Sequence, residues 1–454
     1  MSTHDISLSD KFDLGKDRVL LNGTQALVRL MLTQSARDRQ AGLNTAGFVT
    51  GYRGSPLGAV DLQMRRAGKV LGEANVRFEE GLNEDLAATM LWGSQQAELR
   101  GEGKYDGVFG LWYGKGPGID RSGDVMRHAN MAGTSTHGGV LMAMGDDHTG
   151  ESSTVLHQSE WALVDAYMPV VSPAGVQELI DYGIYGYALS RFSGLWVGLK
   201  TMKDTVEATS VIDGRVDRVQ LSEPKFDMPE GGLNIRLGDT PHAQEARIID
   251  YKRFAAEAFS RVNGMDRRMM GKPGAKIGFV AAGKNWLDLV HAFEVLGIDE
   301  AEAERLGVTT YKVGQPFPLD MRGFHDWAEG LELIVVVEEK RKLIEVQIKE
   351  AIFDDRRGRR VYGWYKGGAG GMHRDELFPT RGALDPVMIA EKIGGILIEE
   401  GRGTDGIKAG LAQIAEARKA DNAQEIAARL PYFCSGCPHN SSTKLPDGSR
   451  AYAG

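Results

Sequence analysis

Short apolar runs that end in glycine-bearing loops recur along this chain. Each is followed by residues whose apolar positions fall at helical spacing, and that alternation restricts the fold more than any other feature. Residues 46–51 run into the loop Gly51-Tyr-Arg-Gly-Ser-Pro-Leu-Gly58, with helical spacing over 61–71. Residues 107–113 run into Lys115-Gly-Pro-Gly118, with a helix over 124–131. Three more strands are read at 138–145, 168–173 and 194–200, with a helix over 175–192. Strands alternating with helices build a parallel sheet covered on both faces. Ligand loops of such sheets lie at the carboxyl ends of the strands. The loops at 51–58, 115–120 and 145–150 are therefore expected to converge at one edge. The 59 glycines suit many tight strand–helix turns.

A second series follows a connecting region. Residues 212–237 are rich in Gly, Pro and charge, with 219–221 as a lone strand, and 243–262 read as an amphipathic helix. Strands at 276–283, 308–313 and 331–337 then alternate with helices at 286–296 and 343–353. The expected class is α/β, with two doubly wound, mostly parallel sheets. Residues 1–18 read as a loose polar arm, and 19–32 as a helix capped by Thr24. Residues 356–386 read as a basic, glycine-rich loop, 385–399 as a helix with Pro386 in its first turn, and 404–429 as helical. Apolar residues at 42% and charged residues at 26% support an ordinary core. A net charge of -8 argues against a nucleic-acid-binding surface. With no basic n-region followed by an apolar stretch, and no run long enough to span a bilayer, the expectation is a soluble cytoplasmic protein.

The stretch from Arg77 to Gly93 carries the candidate chemistry. It starts strand-like, turns at Gly81, and enters a helix capped by Asn83, whose side-chain oxygen can accept a first-turn N–H. Glu84 then occupies the first helical position, where the helix dipole favours negative charge. By itself that describes a carboxylate that steadies a helix start. Upstream lies the 51–58 loop, and downstream lie Lys115-Gly-Pro-Gly-Ile-Asp120 and Gly145-Asp-Asp-His148. In this order and spacing the segments resemble the first domain of the 2-oxoacid:ferredoxin oxidoreductases, most closely the indolepyruvate type. The series from 276 to 353 resembles the transketolase-C-like domain that follows it, including the loop at 314–319 and the Val-Glu-Glu end at Glu338–Glu339.

The resemblance implies that Glu84 hydrogen-bonds the N1′ atom of a thiamine diphosphate pyrimidine. A partly buried carboxyl that keeps a shared proton would favour the imino form of the ring, which activates the cofactor. Tyr52, Gly54, Asn83, Gly118 and Asp120 are implied to line the cofactor. Ser55, Arg53 and Lys115 are implied to orient a 2-oxoacid. Three positions depart from the family pattern. Ser55 replaces Thr, and reads either as a substrate donor or as an ordinary Ser-Pro turn. Arg53 replaces Pro, and reads as a carboxylate clamp or a solvent-facing side chain. Asp120 replaces Asn. His148 replaces the Pro of an Asp-Asp-Pro-Gly loop and reads first as a surface histidine. Trp112 and Tyr113 read as packing residues.

The only cysteines are Cys434 and Cys437, followed by Pro438 and His439. The resemblance implies two ligands of a [4Fe–4S] cluster, which takes four thiolates. Structural zinc and a redox pair remain alternatives. No Gly-Asp-Gly with a following Asn, the usual Mg²⁺–diphosphate signature, is found. The expected organisation is an arm at 1–18, a pyrimidine-type domain at 19–211, a linker and helix at 212–270, and a transketolase-C-like domain at 271–400. A helical linker at 401–430 and the start of a truncated diphosphate-binding domain at 431–454 complete it. The resemblance implies oxidative decarboxylation of indolepyruvate or another arylpyruvate, with coenzyme A and ferredoxin as partners. It also implies a homodimer, and an amino-terminal portion of a longer chain that is inactive alone. A non-redox thiamine-diphosphate enzyme and a zinc-bearing scaffold are the alternatives.

Overall fold

The computed structural model describes residues 7, 9–150, 155–367, 376–421 and 435–450. Thirteen strands are present among these residues: β1 Arg18–Asn22, β2 Thr45–Gly51, β3 Val76–Glu80, β4 Gly107–Lys115, β5 Val140–Asp146, β6 Val170–Val171, β7 Val197–Met202, β8 Thr209–Asp213, β9 Arg267–Met270, β10 Ile277–Ala282, β11 Val308–Val313, β12 Leu333–Val337 and β13 Arg360–Tyr362. Six form one wholly parallel sheet in the order β3-β2-β4-β5-β7-β6. Its central strand β5 is buried at every residue, as a parallel sheet covered on both faces requires. The helices Gly23–Gln40 and Val176–Ser193 pack on one face, and Glu84–Ser94 and Gly123–Ala132 on the other. Trp112 and Tyr113 are fully buried and, as neighbours on one strand, enter the cores on opposite faces.

The second sheet has the order β13-β12-β10-β11-β9, parallel except for β9. In both sheets the parallel strands start at an inner strand, β2 or β10, and build outward to either side, while β9 joins the edge of the second sheet antiparallel. The direction reverses between β2 and β4 in the first sheet and between β10 and β12 in the second. Crevices for ligands open at the carboxyl ends of such switch points.

Several local expectations are corrected. The stretch expected to be one helix from 19 begins with β1, which pairs antiparallel with β8 and buries Val19 and Leu21. The helix runs from Gly23 to Gln40 and is capped by Asn22, not Thr24, in a reciprocal box with Gln25. Residues 219–221 form no strand; the strand of that region is β8. Residues 267–270, expected in the linker, add β9 to the second sheet, and the loop at 356–386 contains β13. The helix expected over 243–262 is present as Pro241–Arg247 and Arg253–Val262 joined by a π-helical turn at Ile248–Lys252. Among the described residues no helix is long and apolar enough to cross a membrane.

The units are stitched by backbone. Val170 N–H at the sheet edge donates to Phe317 O at 2.7 Å, and Ser172 N–H donates to Gly314 O at 2.9 Å. The Tyr185 hydroxyl donates to Gln315 Oε1 at 2.8 Å. The described part of the amino-terminal arm is held rather than loose. Arg29 is fully buried, and its guanidinium donates to the carbonyls of Lys11, Asp13, Lys16 and Gly214 at 2.7–3.2 Å. Replacing Arg29 with Met removes those donors while keeping an apolar stem. The expected result is a loss of about 2–3 kcal/mol in denaturant unfolding, from the orphaned carbonyls, with faster proteolysis ahead of β1.

Candidate active site

The crevice lies where the first sheet reverses direction. Gly51 ends β2 so close to β4 that a Cβ there would sit 2.1 Å from Tyr113 O. Tyr52 N–H donates to Tyr113 O at 3.0 Å, so the 52–58 loop leaves from directly beside Lys115. Asn83 caps the next helix, its side chain accepting Leu86 N–H at 2.9 Å. That places Glu84 on the first turn, its backbone carbonyl fixed by Trp112 Nε1–H at 3.0 Å. The Glu84 side chain is 12% exposed and lies over Gly118, where a Cβ would come 2.5 Å from Glu84 Cγ. The Lys115 stem packs against Gly54, 3.0 Å from where a Cβ would stand.

Glu84, Gly54, Lys115 and Gly118 therefore meet in one place. Arg121 stands at the rim, 2.8 Å from Asp85 and 4.0 Å from Glu84. Tyr52 is exposed at the same rim, close enough for its hydroxyl to act on Arg121. Asn83 contributes through its cap. Arg53 is exposed, and its charge acts on the carboxyls of Asp61 and Glu80. Asp120 is also exposed at the rim and is engaged by His157, whose Nε2 lies 2.8 Å from Asp120 Oδ2.

A second group of ionisable residues lies deeper, where the carboxyl ends of the two sheets face each other. Asp146, the last residue of β5, is fully buried and accepts Ser159 N–H at 3.1 Å and the Ser159 hydroxyl at 2.5 Å. His157 Nδ1 stands 3.8 Å from Asp146, and His148 Nε2 stands 3.9 Å from it. His148 Nδ1 is 2.5 Å from Glu339 Oε1, across the contact between the sheets. Glu339 also accepts Leu384 N–H at 2.8 Å and Asn285 Nδ2–H at 3.2 Å. Lys200 pairs with Glu160, and Lys284 with Asp288 at 2.9 Å. His148 is thus 2% exposed, not the surface histidine expected from its loop.

Burial alone would raise the Asp146 carboxyl, but the His148 and His157 rings and Lys200 outweigh it and hold it far below the usual range. Burial likewise works against the His148 cation, yet Asp146 and Glu339 raise it overall. Burial also opposes the Glu339 anion; His148, Lys284 and the Leu384 N–H win and lower it to about 2. Burial pushes Glu338 up to about 8. A pocket of about 540 Å³ borders this group, lined by Ser55, Asp146, His148, Lys284, Asp288 and Leu384.

Sequence reasoning missed Asp146, His157 and Glu339 as a group. The Val-Glu-Glu end was visible, but nothing in the sequence signals that it meets the loop after β5. Cys434 lies outside the described residues. Cys437 is described and half-buried. Among the described residues no group of three or more potential ligands is arranged to hold a metal ion.

The fold is that of two doubly wound, mostly parallel α/β units in series. A solved structure with this fold is 2-oxoglutarate:ferredoxin oxidoreductase from Magnetococcus marinus with 2-oxoglutarate, coenzyme A and succinyl-CoA bound. It superposes with a TM-score of 0.57 at 16% identity, over 84% of this chain and 65% of that one. Residues 267–421 match the sequence profile of the indolepyruvate oxidoreductase domain. Indolepyruvate oxidoreductase subunit IorA of Pyrococcus abyssi is 25% identical over 444 residues, 96% of this chain and 60% of its own length. The subunit of the same name from Methanothermobacter marburgensis is 22% identical over 442 residues, 96% of this chain and 61% of its own. The chain is thus similar along nearly its whole length to indolepyruvate oxidoreductase subunits, and it spans about three fifths of their length.

The His148–Glu339 contact has a pH signature. Because His148 is raised in the fold, its contribution is complete below the ordinary value of 6.5 and is lost as pH rises through the raised one. Because Glu339 is depressed, its contribution is present above the ordinary value of 4.5 and is lost as pH falls towards about 2. Thermal melts of wild type from pH 6.5 upward should therefore decline, and His148→Gln should flatten that decline. His157, which is also raised, keeps a residual slope in the variant.

Proposed function

We propose that this chain forms the pyrimidine-side part of a thiamine-diphosphate site in a 2-oxoacid:ferredoxin oxidoreductase. The proposed reaction is oxidative decarboxylation of indolepyruvate or another aryl 2-oxoacid, with coenzyme A as acyl acceptor and ferredoxin as electron acceptor. One observation carries the reading. The Glu84 carboxylate lies over Gly118 at the switch point, largely enclosed. Among the described residues it has no hydrogen-bond donor, and its charged neighbour Arg121 is 4.0 Å away. An enclosed acceptor left open in a crevice suits a ring nitrogen that shares a proton with it.

When bound, the cofactor supplies the electron sink that a 2-oxoacid needs once CO₂ departs. The chain's own residues supply position and charge. Glu84 holds the shared proton. Gly118 and Gly54 leave room for a planar ring, and Tyr52 and Asn83 frame it. Lys115 offers a cation to the substrate carboxylate, and the Ser55 hydroxyl can donate to its oxygens. Arg53, which acts on Asp61 and Glu80, adds positive field at the mouth. Mg²⁺ belongs with the diphosphate and lies outside this set of residues. A [4Fe–4S] cluster needs four thiolates and the chain has two cysteines, so no electron step is assigned to its residues. Homodimerisation is part of the same proposal.

The test uses the full-length gene product under anaerobic conditions. Viologen reduction is followed with a panel of 2-oxoacids, coenzyme A, thiamine diphosphate and Mg²⁺. Aryl 2-oxoacids are expected to reduce the dye, and Glu84→Gln to lose about 100-fold in rate, the usual scale for a proton-holding group. Cofactor binding without any dye reduction would favour a non-redox thiamine-diphosphate enzyme instead. Gly118→Val is expected to displace the Glu84 side chain and to weaken cofactor binding in calorimetry, with Glu84 itself unchanged.

A further inference from the structure

The helix Gly116–Arg121 has different residues against its two sides. Gly118 backs Glu84, and a Cβ at Gly116 would stand 2.3 Å from the His157 ring. The crevice carboxylate and His157 are thus separated by a single turn. From Asp120 a series of ionisable side chains runs inward. Asp120 Oδ2 is 2.8 Å from His157 Nε2, and His157 Nδ1 is 3.4 Å from the Ser159 hydroxyl, which donates to Asp146 at 2.5 Å. Asp146 is 3.9 Å from His148 Nε2, and His148 Nδ1 is 2.5 Å from Glu339. Glu339 lies 3.8 Å from Lys284, which lines the pocket between the sheets together with His148.

We propose that Asp120, His157, Asp146, His148 and Glu339 form a proton path between the crevice and the pocket between the two sheets. Each imidazole can take a proton on one ring nitrogen and release the other from the opposite nitrogen, so the two rings pass charge without moving far. The one long step, between Asp146 and His148, exceeds a hydrogen bond and closes when the His148 ring rocks by about 1 Å. His148 Nε2 has no hydrogen-bond partner in its buried position, which leaves that step open to it. The rings are faced by Asp120, Asp146, Lys200 and Glu339, with Lys284 beyond Glu339.

Net stability alone does not account for such a group. Buried ion clusters are commonly no more stabilising than apolar packing of the same volume, and concentrated buried titratable groups beside a cleft mark working sites. The inference rests on the function proposed above. There, R–CO–COO⁻ and CoA–SH yield R–CO–S–CoA, CO₂, two electrons for one-electron acceptors, and one proton. The C–C bond to the carboxylate breaks and the C–S bond forms, and the thiol proton must leave the crevice in every cycle. The path joins Asp120 at the rim to the pocket between the sheets, and so gives that proton a second exit.

Two measurements test the path and separate it from the reaction. In the first, the imidazoles of this chain are isotope-labelled and titrated by NMR in wild type, His148→Gln and His157→Gln. Removing either ring is expected to shift the titration of the other. Independent titrations would overturn the proposal even if the enzyme proves active. In the second, turnover of the full-length gene product is measured at rising buffer concentration, in H₂O and D₂O. His148→Gln and His157→Gln should each lose up to about 100-fold at low buffer, show a larger solvent isotope effect, and be rescued by added imidazole. Glu84→Gln should not be rescued. An equal loss at every buffer concentration would overturn the path. If wild type turns over no 2-oxoacid, the functional reading fails, and the coupled titration decides whether the path exists.

Discussion

A parallel sheet has no face that water can occupy, and this chain's organisation follows from that constraint. Each strand must be followed by a helix that returns across one face or the other. The glycine-rich joints between them then fall together at the carboxyl edge. Where strand order reverses, neighbouring joints part and leave a crevice. The Glu84 helix, the 52–58 loop and Lys115 meet at such a place because β2 and β4 are neighbours whose following helices lie on opposite faces. The second sheet repeats the arrangement around β10 and β12, and its joint at Glu338–Glu339 faces the end of β5.

The parts that were legible from sequence are those set by local chemistry. Asn83 announces a helix start because its side-chain oxygen can accept a first-turn N–H, and Pro386 marks the first turn of another. The long apolar runs of β4, β5 and β12 read as buried strands because they are buried on both faces. That the 51–58 loop, the start of the Glu84 helix and Lys115 gather at one sheet edge was legible through order and spacing. His148 was misread because a polar residue in a Gly-Asp-Asp loop looks exposed until the other sheet is placed against it. Asp146, His157 and Glu339 come from three distant segments, and no local pattern relates them. The strands β9 and β13 are short and carry Arg, so their periodicity is weak. The Val-Leu-Leu run of β1 continues the apolar pattern of the following helix, and only pairing with β8 separates the two.

The ionisable cluster also bears on how the sheets are held. Hydrophobic packing tolerates small slips, whereas a carboxylate between a lysine, an asparagine and a backbone N–H has one acceptable position. Glu339 has such a position, and His148 meets it from the other side. Misplacing either would leave buried charge unpaired, which is costly. The cluster therefore specifies the relative placement of the sheets more sharply than the surrounding apolar contacts do, whatever it adds to net stability.

The contact between Val170 and the Phe317 loop carries a mechanical consequence. β6 is only two residues long and sits at the outer border of its sheet. Such borders are open templates for another chain, and here the neighbouring unit occupies it with its own carbonyls. The two bodies thus share a short length of hydrogen-bonded backbone. A clamshell motion about this seam would have to unzip it, so traffic into the space between them is left to side chains and to the loops around the mouth.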